Sequence, residues 1–476
     1  MQLVWFKRDL RINDHEALTL AISKGPILPL YILEPELFSQ PDLSYRHYQF
    51  LKDCLIELDE SLQKLGQNLI IKIGSATDIL KKINRNHPIQ TLWSHQETWN
   101  NWTYQRDKKV RQLTRIYNIQ WNEPRQNGVI RNLDNRNGWS KQWYAQMKKK
   151  MFVPSKTLQT INESSDTLPS AREIGLHDDG CIISQKGGRS EGLKLLHSFL
   201  SERGAGYTKE MSSPITAFES CSRLSTHLAF GTVSIREVFQ AAEKRSQEIK
   251  NINSNNTKKW QSSMRSFLGR LRWHCHFIQK LEDEPLIEFE NMHCTYNNLR
   301  KNDFNQKHFL AWKEGMTGFP MVDACMRALR ATGWINFRMR AMLMSFASYH
   351  LWLHWREPAL HLAKLFTDYE PGIHYSQSQM QSGTTGINSI RIYNPIKQSI
   401  DHDPDGVFIY KWIPELLHMP QEYIHTPWEI PTKMNNYPMP IIEEKNARKT
   451  AAEKLYSLRK NIEHKQISQK ILKKHG

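Results

Sequence analysis

The hydrophobic pattern of this chain changes once, and that change limits what it can fold into. Up to about residue 125, short apolar runs of strand length alternate with longer amphipathic stretches. The runs are Leu3 to Phe6, PILPLYIL (26–33), NLIIKIG (68–74), TLWSH (91–95) and IQWNE (119–123). Helical patterns separate them at about 15–23, 45–65, after Ser75 and at 98–117. Strands and helices alternating at this spacing build a parallel sheet covered on both faces, which takes ligands at the carboxyl ends of its strands. No GxGxxG follows the first strand, so the usual dinucleotide fingerprint is absent. From Glu191 onward strand signals all but vanish and helices take over. The expected organisation is therefore an α/β, doubly wound domain at 1–128, a connector at 129–190, an all-α domain at 191–461 and a basic tail at 462–476. The connector mixes Asn, Gly, Ser, Asp and Pro. A helix is expected at 139–151, ISQKGGRS resembles a hinge, and partial disorder is expected.

Within the helical part, 317–416 carries the strongest chemistry. In TGFPMVDACMRALRATGW, Met321, Cys325 and Leu329 form one oily helix face, with Arg327 and Arg330 off it. A second helical run, 334–352, sets Arg338 and Arg340 among Ile335, Met339, Met342, Leu343 and Phe346. Arginine in so apolar a helix needs a carboxylate or phosphate partner. Asp368 and Glu370 follow, and then a polar, glycine-bearing segment too long for a surface turn. This reads as a pocket for a buried polar cofactor. Upstream, Ser222, Arg223 and Ser225 stand together. They suit a phosphate, and simple helix capping explains them equally well. Ser234 and Glu237 have capping-box spacing.

The formal net charge is +17, which favours a polyanionic partner, chiefly nucleic acid. A basic housekeeping enzyme with solvated lysines would show the same balance. The 15 tryptophans fill cores, stack on bases or carry electrons. Six cysteines without a CxxC pair point to a reduced protein lacking a cysteine-held cluster. No leader or membrane-length apolar run is visible, so a cytoplasmic location is expected. His274 and His276 diverge by about 200° on a helix. His350 and His354 share a face without a third ligand, and packing rather than metal is expected at both. The tail helix reads either as solvated or as a DNA arm. Trp99 and Trp102 are expected to pack on the sheet as one helix face.

VWFKRDLRINDHEALTLA, SRLSTHLAFGTVSIREV, TGFPMVDACMRALRATGW, HWREP, RIYNP and FIYKWIPEL, in that order, resemble the photolyase/cryptochrome flavoprotein family over nearly the whole chain. The resemblance implies an α/β antenna domain, a connector and a helical domain holding a folded FAD. Family members use blue light to split pyrimidine photoproducts in DNA or to signal. By residue, the resemblance implies FAD contacts from Tyr207, Cys221, Ser222, Arg223, Leu224, Ser225, Arg340, Asp368, Tyr369, Glu370 and His374. Cys221 stands where the family usually has Thr or Ser, and Glu370 where it usually has Asp. The catalytic set implied is His374, Trp355 and Arg340. His374 would face the ring nitrogen that gains a proton, and Trp355 would be the middle tryptophan of an electron chain. Arg272, Arg338 and Arg391 match positions lining the family's lesion groove. Glu97 matches an antenna-cofactor contact, leaving open a folate or a deazaflavin in the N-terminal domain.

The departures are specific. In FLGRLRWHCHFIQ (267–279) the family's lesion-facing Glu and Trp are missing, and Trp273 is expected to point away. YSQSQMQ (375–381) lacks the flavin-proximal tryptophan, and the region of Asn302 replaces the distal one. Electrons would then pass by way of Tyr375, Trp352 or Trp334. The expected function is a monomeric, light-driven DNA photolyase acting on damaged DNA, in which reduced FAD donates an electron to the dimer and regains it. The alternative is a cryptochrome-like photoreceptor that keeps FAD without repair. A dark flavin reductase would need a nicotinamide fingerprint that is absent.

Overall fold

The computed structural model describes residues 1–154, 157–159, 161–251, 256–301 and 303–476. The first domain contains β1 (Gln2–Phe6), α1 (Glu16–Ile22), β2 (Ile27–Leu33), α2 (Tyr45–Gln63), β3 (Ile70–Ile73), α3 (Ala76–Asn86), β4 (Thr91–Trp93), α4 (Asn101–Ile116) and β5 (Gln120–Asn122). The five strands pair in the order β3-β2-β1-β4-β5, all parallel, with Gln2 opposite both Ile27 and Thr91. Every residue of β1 and β2 is buried, as strands covered on both faces must be. The doubly wound α/β expectation is met.

The connector carries α5 (Trp139–Met147), which ends four residues short of the expected helix. Its described part is packed rather than loose. The Asp166 N–H donates to Ile71 O (2.8 Å), and Ile73 N–H donates to Asp166 Oδ2 (2.9 Å), covering the otherwise open edge of β3. The Tyr48 hydroxyl donates to Pro169 O (2.6 Å). The KGGRS segment is not a free hinge. A Cβ on Gly187 would lie 2.3 Å from Phe50 O, so glycine is what lets this segment lie against α2. The Ser190 N–H donates to Glu57 Oε1 (2.7 Å).

The helical domain contains α6 (Ile235–Lys250), α7 (Thr257–Asp283), α8 (Pro320–Thr332), α9 (Phe337–Ser345), α10 (Arg356–Leu365), α11 (Pro371–Ser382) and α12 (Ile462–His475), with further helices, among them Arg189–Ser201 and Glu444–Arg459, and short turns around them. Met321, Cys325 and Leu329 are all buried, but so is most of α8, and only Arg327 and Arg330 reach outward to Glu415 and Glu314. The run expected at 334–352 is helical from Phe337 and opens into a wide π turn at Phe346–His350. The polar stretch after Glu370, expected as an inserted loop, is mostly helix α11. Some of its polar side chains are buried with partners, Gln379 most fully, whereas Ser376 Oγ and Gln377 Oε1 are buried without one. Gln379 donates to Ile287 O and Glu290 O (2.9 and 2.7 Å) and accepts from Met292 N–H (2.7 Å). The tail is not a solvated helix either. His464 and His475 are buried, the Tyr296 hydroxyl meets His464 Nε2 (2.8 Å), and His475 Nε2 meets Glu284 (2.8 Å). Among the described residues no helix is long and apolar enough to cross a membrane.

Buried polar contacts fix the two domains together. Arg46, on α2, donates to Asp179, to Leu329 O and Arg330 O near the end of α8, and to Leu365 O at the end of α10. Arg330 O and Leu365 O are carbonyls that a helix end leaves unpaired, while Leu329 O also accepts from Gly333 N–H (2.9 Å). Arg8 donates to Ala229 O (2.9 Å) and Arg11 to Gly231 O (2.8 Å). A Cβ on Gly231 would sit 2.2 Å from Arg8 O, and its φ is +68°. Asp14 pairs with Arg236 (2.8 Å) and accepts from the Ser234 hydroxyl. Ser234 caps α6 through Glu237 N–H, but the Glu237 carboxylate turns to Arg189, so the capping box is only half made.

Candidate functional site

A cavity of about 550 Å³ opens between α7, α9, α11 and the 221–225 turn. Helix α7 aims Arg270, Trp273, His274 and Phe277 into it, the i, i+3, i+4, i+7 face of one helix. The turn brings Ser222, Arg223 and Ser225 to one end. Arg223 has φ +59°, and its guanidinium lies over Trp334 (4.1 Å) and Phe218 (4.8 Å). Its Nε is buried without a partner, and burial pushes its pKa down to about 10. Arg340 and Asp368 form a double hydrogen bond in the wall. Burial would raise the Asp368 pKa, yet Arg340 beside it holds the carboxyl below its ordinary value.

Burial shifts His374 and Glu370, two of the cavity's titratable residues, towards their neutral forms. Burial pushes His374 down to about 4. Its Nε2 lies 2.8 Å from Ala359 O, which can only accept. The proton is therefore on Nε2, and Nδ1 is left as an acceptor. Burial pushes Glu370 up to about 8. Arg270, Arg338 and Arg391 also line the cavity, so its cations outnumber its single ionised, paired carboxylate, Asp368. Buried Arg223 Nε, His274 Nδ1, Asn336 Oδ1, Glu370 Oε1 and Gln377 Oε1 lack protein partners. Buried polar atoms left unpaired around such a cation-rich space fit a polar, anionic ligand with a flat ring system, as a flavin dinucleotide is.

Of the residues expected to hold the cofactor, Tyr207, Cys221, Ser222, Arg223, Ser225, Arg340, Asp368, Tyr369, Glu370 and His374 all line this cavity. Leu224 does not: its side chain sits in the hydrophobic core. Trp355 is fully buried away from the cavity, donating to Asn291 (2.7 Å), with its ring 6.2 Å from Tyr375. Asn302 lies outside the described residues. Arg338 and Arg391 line the mouth, but Arg272 turns to Ser140 (3.2 Å) and Tyr144. The reason is helix register: 270, 273, 274 and 277 share a face that 272 leaves. Trp273 therefore lies at the cavity mouth, 47% exposed, against the expectation that it points away. Arg270, Phe277, Asn336 and Gln377 were not anticipated. The helical spacing of the α7 residues was the signal available.

A second cavity, of about 580 Å³, lies at the domain seam against Glu34, Asp42, Asn101, Arg106, Arg356 and Tyr375. By contrast the space at the strand ends is only about 40 Å³. It is closed by Glu97, which pairs with Arg106 and Lys7 instead of facing an open site. Trp99 precedes α4 and packs against Tyr369 and Arg8 rather than on the sheet. Asp9, His15 and His95 are the one set with metal-ligand spacing among the described residues. His15 Nδ1 accepts from Leu18 N–H (3.0 Å), so Nε2 keeps the proton; it lies 3.0 Å from Asp9 Oδ2 without a hydrogen bond, while His95 Nδ1 bonds the same oxygen (2.7 Å). A metal there would have to break the cap of α1.

Two family profiles match the chain, "DNA photolyase" at residues 2–151 and "FAD binding domain of DNA photolyase" at 267–457. The deoxyribodipyrimidine photo-lyase of Buchnera aphidicola is 29% identical over 94% of this chain and 95% of its own length. Cryptochrome-2 of Arabidopsis thaliana is 28% identical over 94% of this chain and 78% of its own. An archaeal photolyase from Sulfolobus tokodaii, solved with two FAD molecules, superposes with a TM-score of 0.81 at 25% identity, covering 96% of this chain and all of that one. The two profiles fall on the parallel-sheet domain and on the helices around the cation-rich cavity, and the chain belongs to the photolyase/cryptochrome flavoprotein family, with FAD as its cofactor.

Proposed function

We propose that this protein is a DNA photolyase, repairing pyrimidine dimers under blue light by electron transfer from reduced FAD. The observation that carries the reading is the cavity mouth. Trp273 stands half exposed beside Phe277, ringed by Arg270, Arg338 and Arg391. An aromatic platform within a ring of guanidiniums suits a flipped base pair whose flanking phosphates need neutralising. No unpaired ionised carboxylate in this cavity opposes DNA, because Asp368 is neutralised by Arg340 and burial raises Glu370.

Inside, Ser222, Arg223 and Ser225 would hold the diphosphate, with donors that suit phosphate oxygens. Cys221 contributes a weaker donor than a hydroxyl, since burial pushes its thiol up to about 12 and keeps it protonated. Arg340, fixed by Asp368, places positive charge beside the ring. His374, with its proton on Nε2, would accept a hydrogen bond at Nδ1 from a ring N–H. Any antenna chromophore, folate or deazaflavin, is assigned to the seam cavity, because the strand-end space holds nothing larger than water. Heat release and chromatography of the bound chromophores test that assignment.

The deciding test is loss of cyclobutane and (6-4) lesions, in single- and double-stranded DNA, by FAD-loaded protein under blue light and in darkness. Light-dependent loss supports repair. FAD binding without any loss moves the protein to the cryptochrome-like photoreceptor, a role that the mixed photo-lyase and cryptochrome names of its relatives keep in view.

A further inference from the structure

The wall between the cofactor cavity and the domain seam holds an acid that is neutral but not hydrogen-bonded at one oxygen. Glu370 lines the 550 Å³ cavity and also a smaller one of about 40 Å³ behind it. His274 lines both as well, and Arg8, Glu97, Gln126 and Asn127 complete the smaller space. A water needs only about 10–15 Å³ of such volume, so this space takes water and nothing larger. Glu370 Oε1 and His274 Nδ1 are both buried without a partner.

The charged neighbours of Glu370 are committed elsewhere. The Arg8 guanidinium lies over Trp99 (4.1 Å) and Phe230 (4.6 Å), and its Nε donates to Ala229 O. Glu97 pairs with Arg106 and Lys7, and Asp368 with Arg340. Burial keeps His274 neutral, pushing it down to about 4. His374, one turn along α11, has its only proton tied to Ala359 O and cannot give one. Burial raises Glu370 most, Glu97 adds to the rise, and Arg8 and the Gly372 N–H offset only part of it.

We infer that Glu370 is the proton store of the cofactor cavity, refilled through the water-sized space that joins it to His274 and the domain seam. The inference rests on FAD occupying the large cavity and is independent of DNA repair. The step balances as follows. An added thiol, oxidised to half a disulfide, would supply one electron to the cofactor in light and release one proton to solution. The O–H bond of Glu370 breaks, its proton follows that electron, and a carboxylate remains. A proton relayed by water in the small cavity then restores the carboxyl, so net charge inside the protein is unchanged.

The test uses FAD-loaded wild type, Glu370→Gln and Glu370→Asp. Infrared spectra of wild type at pH 7 should show the carbonyl band of a protonated carboxyl, shifted in D₂O, absent in Glu370→Gln and titrating away near pH 8. Proton uptake during illumination, read as the shortfall of dye-detected protons against thiol consumed (one proton released per thiol), should slow at least tenfold in Glu370→Gln and less in Glu370→Asp. A band unchanged by Glu370→Gln, or equal uptake rates in all three proteins, overturns the inference. Should Glu370→Gln fail to hold FAD, the wild-type titration decides alone: a band lost near pH 8 supports the store, and no such band removes it. Lesion repair plays no part in either readout.

Discussion

Arg340 and Asp368 meet through two parallel hydrogen bonds, Nη1 to Oδ1 and Nη2 to Oδ2, each 2.9 Å long. The carboxylate is buried while the guanidinium keeps some contact with the cavity, so the pair presents one oriented positive face to the ligand. This is the bidentate geometry that distinguishes arginine from lysine.

Asp368→Asn removes the charge and leaves Arg340 facing the cavity unpaired. FAD affinity should fall about tenfold to a hundredfold, with each factor of ten worth about 1.4 kcal/mol. Fluorescence titration of the apoprotein reads it. Because the folded pKa of Asp368 is depressed, its stabilisation is present above the ordinary carboxylate range and is lost as pH falls through the folded value.

Arg46→Ala should be among the most damaging changes outside the cavity. It leaves Asp179, Arg330 O and Leu365 O short of a donor and Leu329 O with Gly333 N–H alone, at a cost of about 3–5 kcal/mol. Urea unfolding followed by tryptophan fluorescence should show a lower midpoint. Arg46→Lys should recover only part of it, because one ammonium cannot reach all four acceptors.

Acid should weaken the fold before most carboxylates titrate. His47 is 2% exposed, its Nε2 meets Phe366 O (2.8 Å), and burial pushes it down to about 4. Its folded pKa lies below the unfolded value, so the unfolded chain binds the extra proton first and stability falls as pH drops below about 6.5. By pH 5 this one ring costs about 2 kcal/mol. Thermal melts should show the decline between pH 7 and 5, and His47→Asn should lessen it by this one ring's share, the other buried rings such as His374 and His227 keeping theirs.

On the DNA side, Trp273→Ala should weaken binding of lesion-containing DNA by about 1–3 kcal/mol. Arg270→Ala should lower the slope of log affinity against log salt by about 1. Arg272→Ala, facing Ser140, should do neither. Fluorescence anisotropy across a salt series separates the three.

The strands were legible because each is a short apolar run between turns, and a parallel sheet buries both faces. The cavity's end groups, Ser222 to Ser225 and Arg340 with Asp368, were reached through motif resemblance, and all but Leu224 line the cavity. Helix α11 was not legible as a helix. Its Gln379 and Ser382 are buried by pairing with other polar groups and Gln377 lines the cavity, and hydrophobic periodicity cannot register either. Trp273 was misplaced by a one-residue shift in reading α7, which rotates a side chain by about 100°. The docking of α12 was equally hidden, because His464 and His475 look like solvated basic residues until Tyr296 and Glu284 are seen beside them.

The central claim is that one folded FAD occupies the cavity between Arg223 and the Arg340–Asp368 pair. Its most direct test is the amount of FAD released by heat from purified protein, before and after incubation with excess FAD. About one FAD per chain, falling sharply in Asp368→Asn, is the result this account predicts. A colourless protein that takes up no FAD under any loading condition would contradict it.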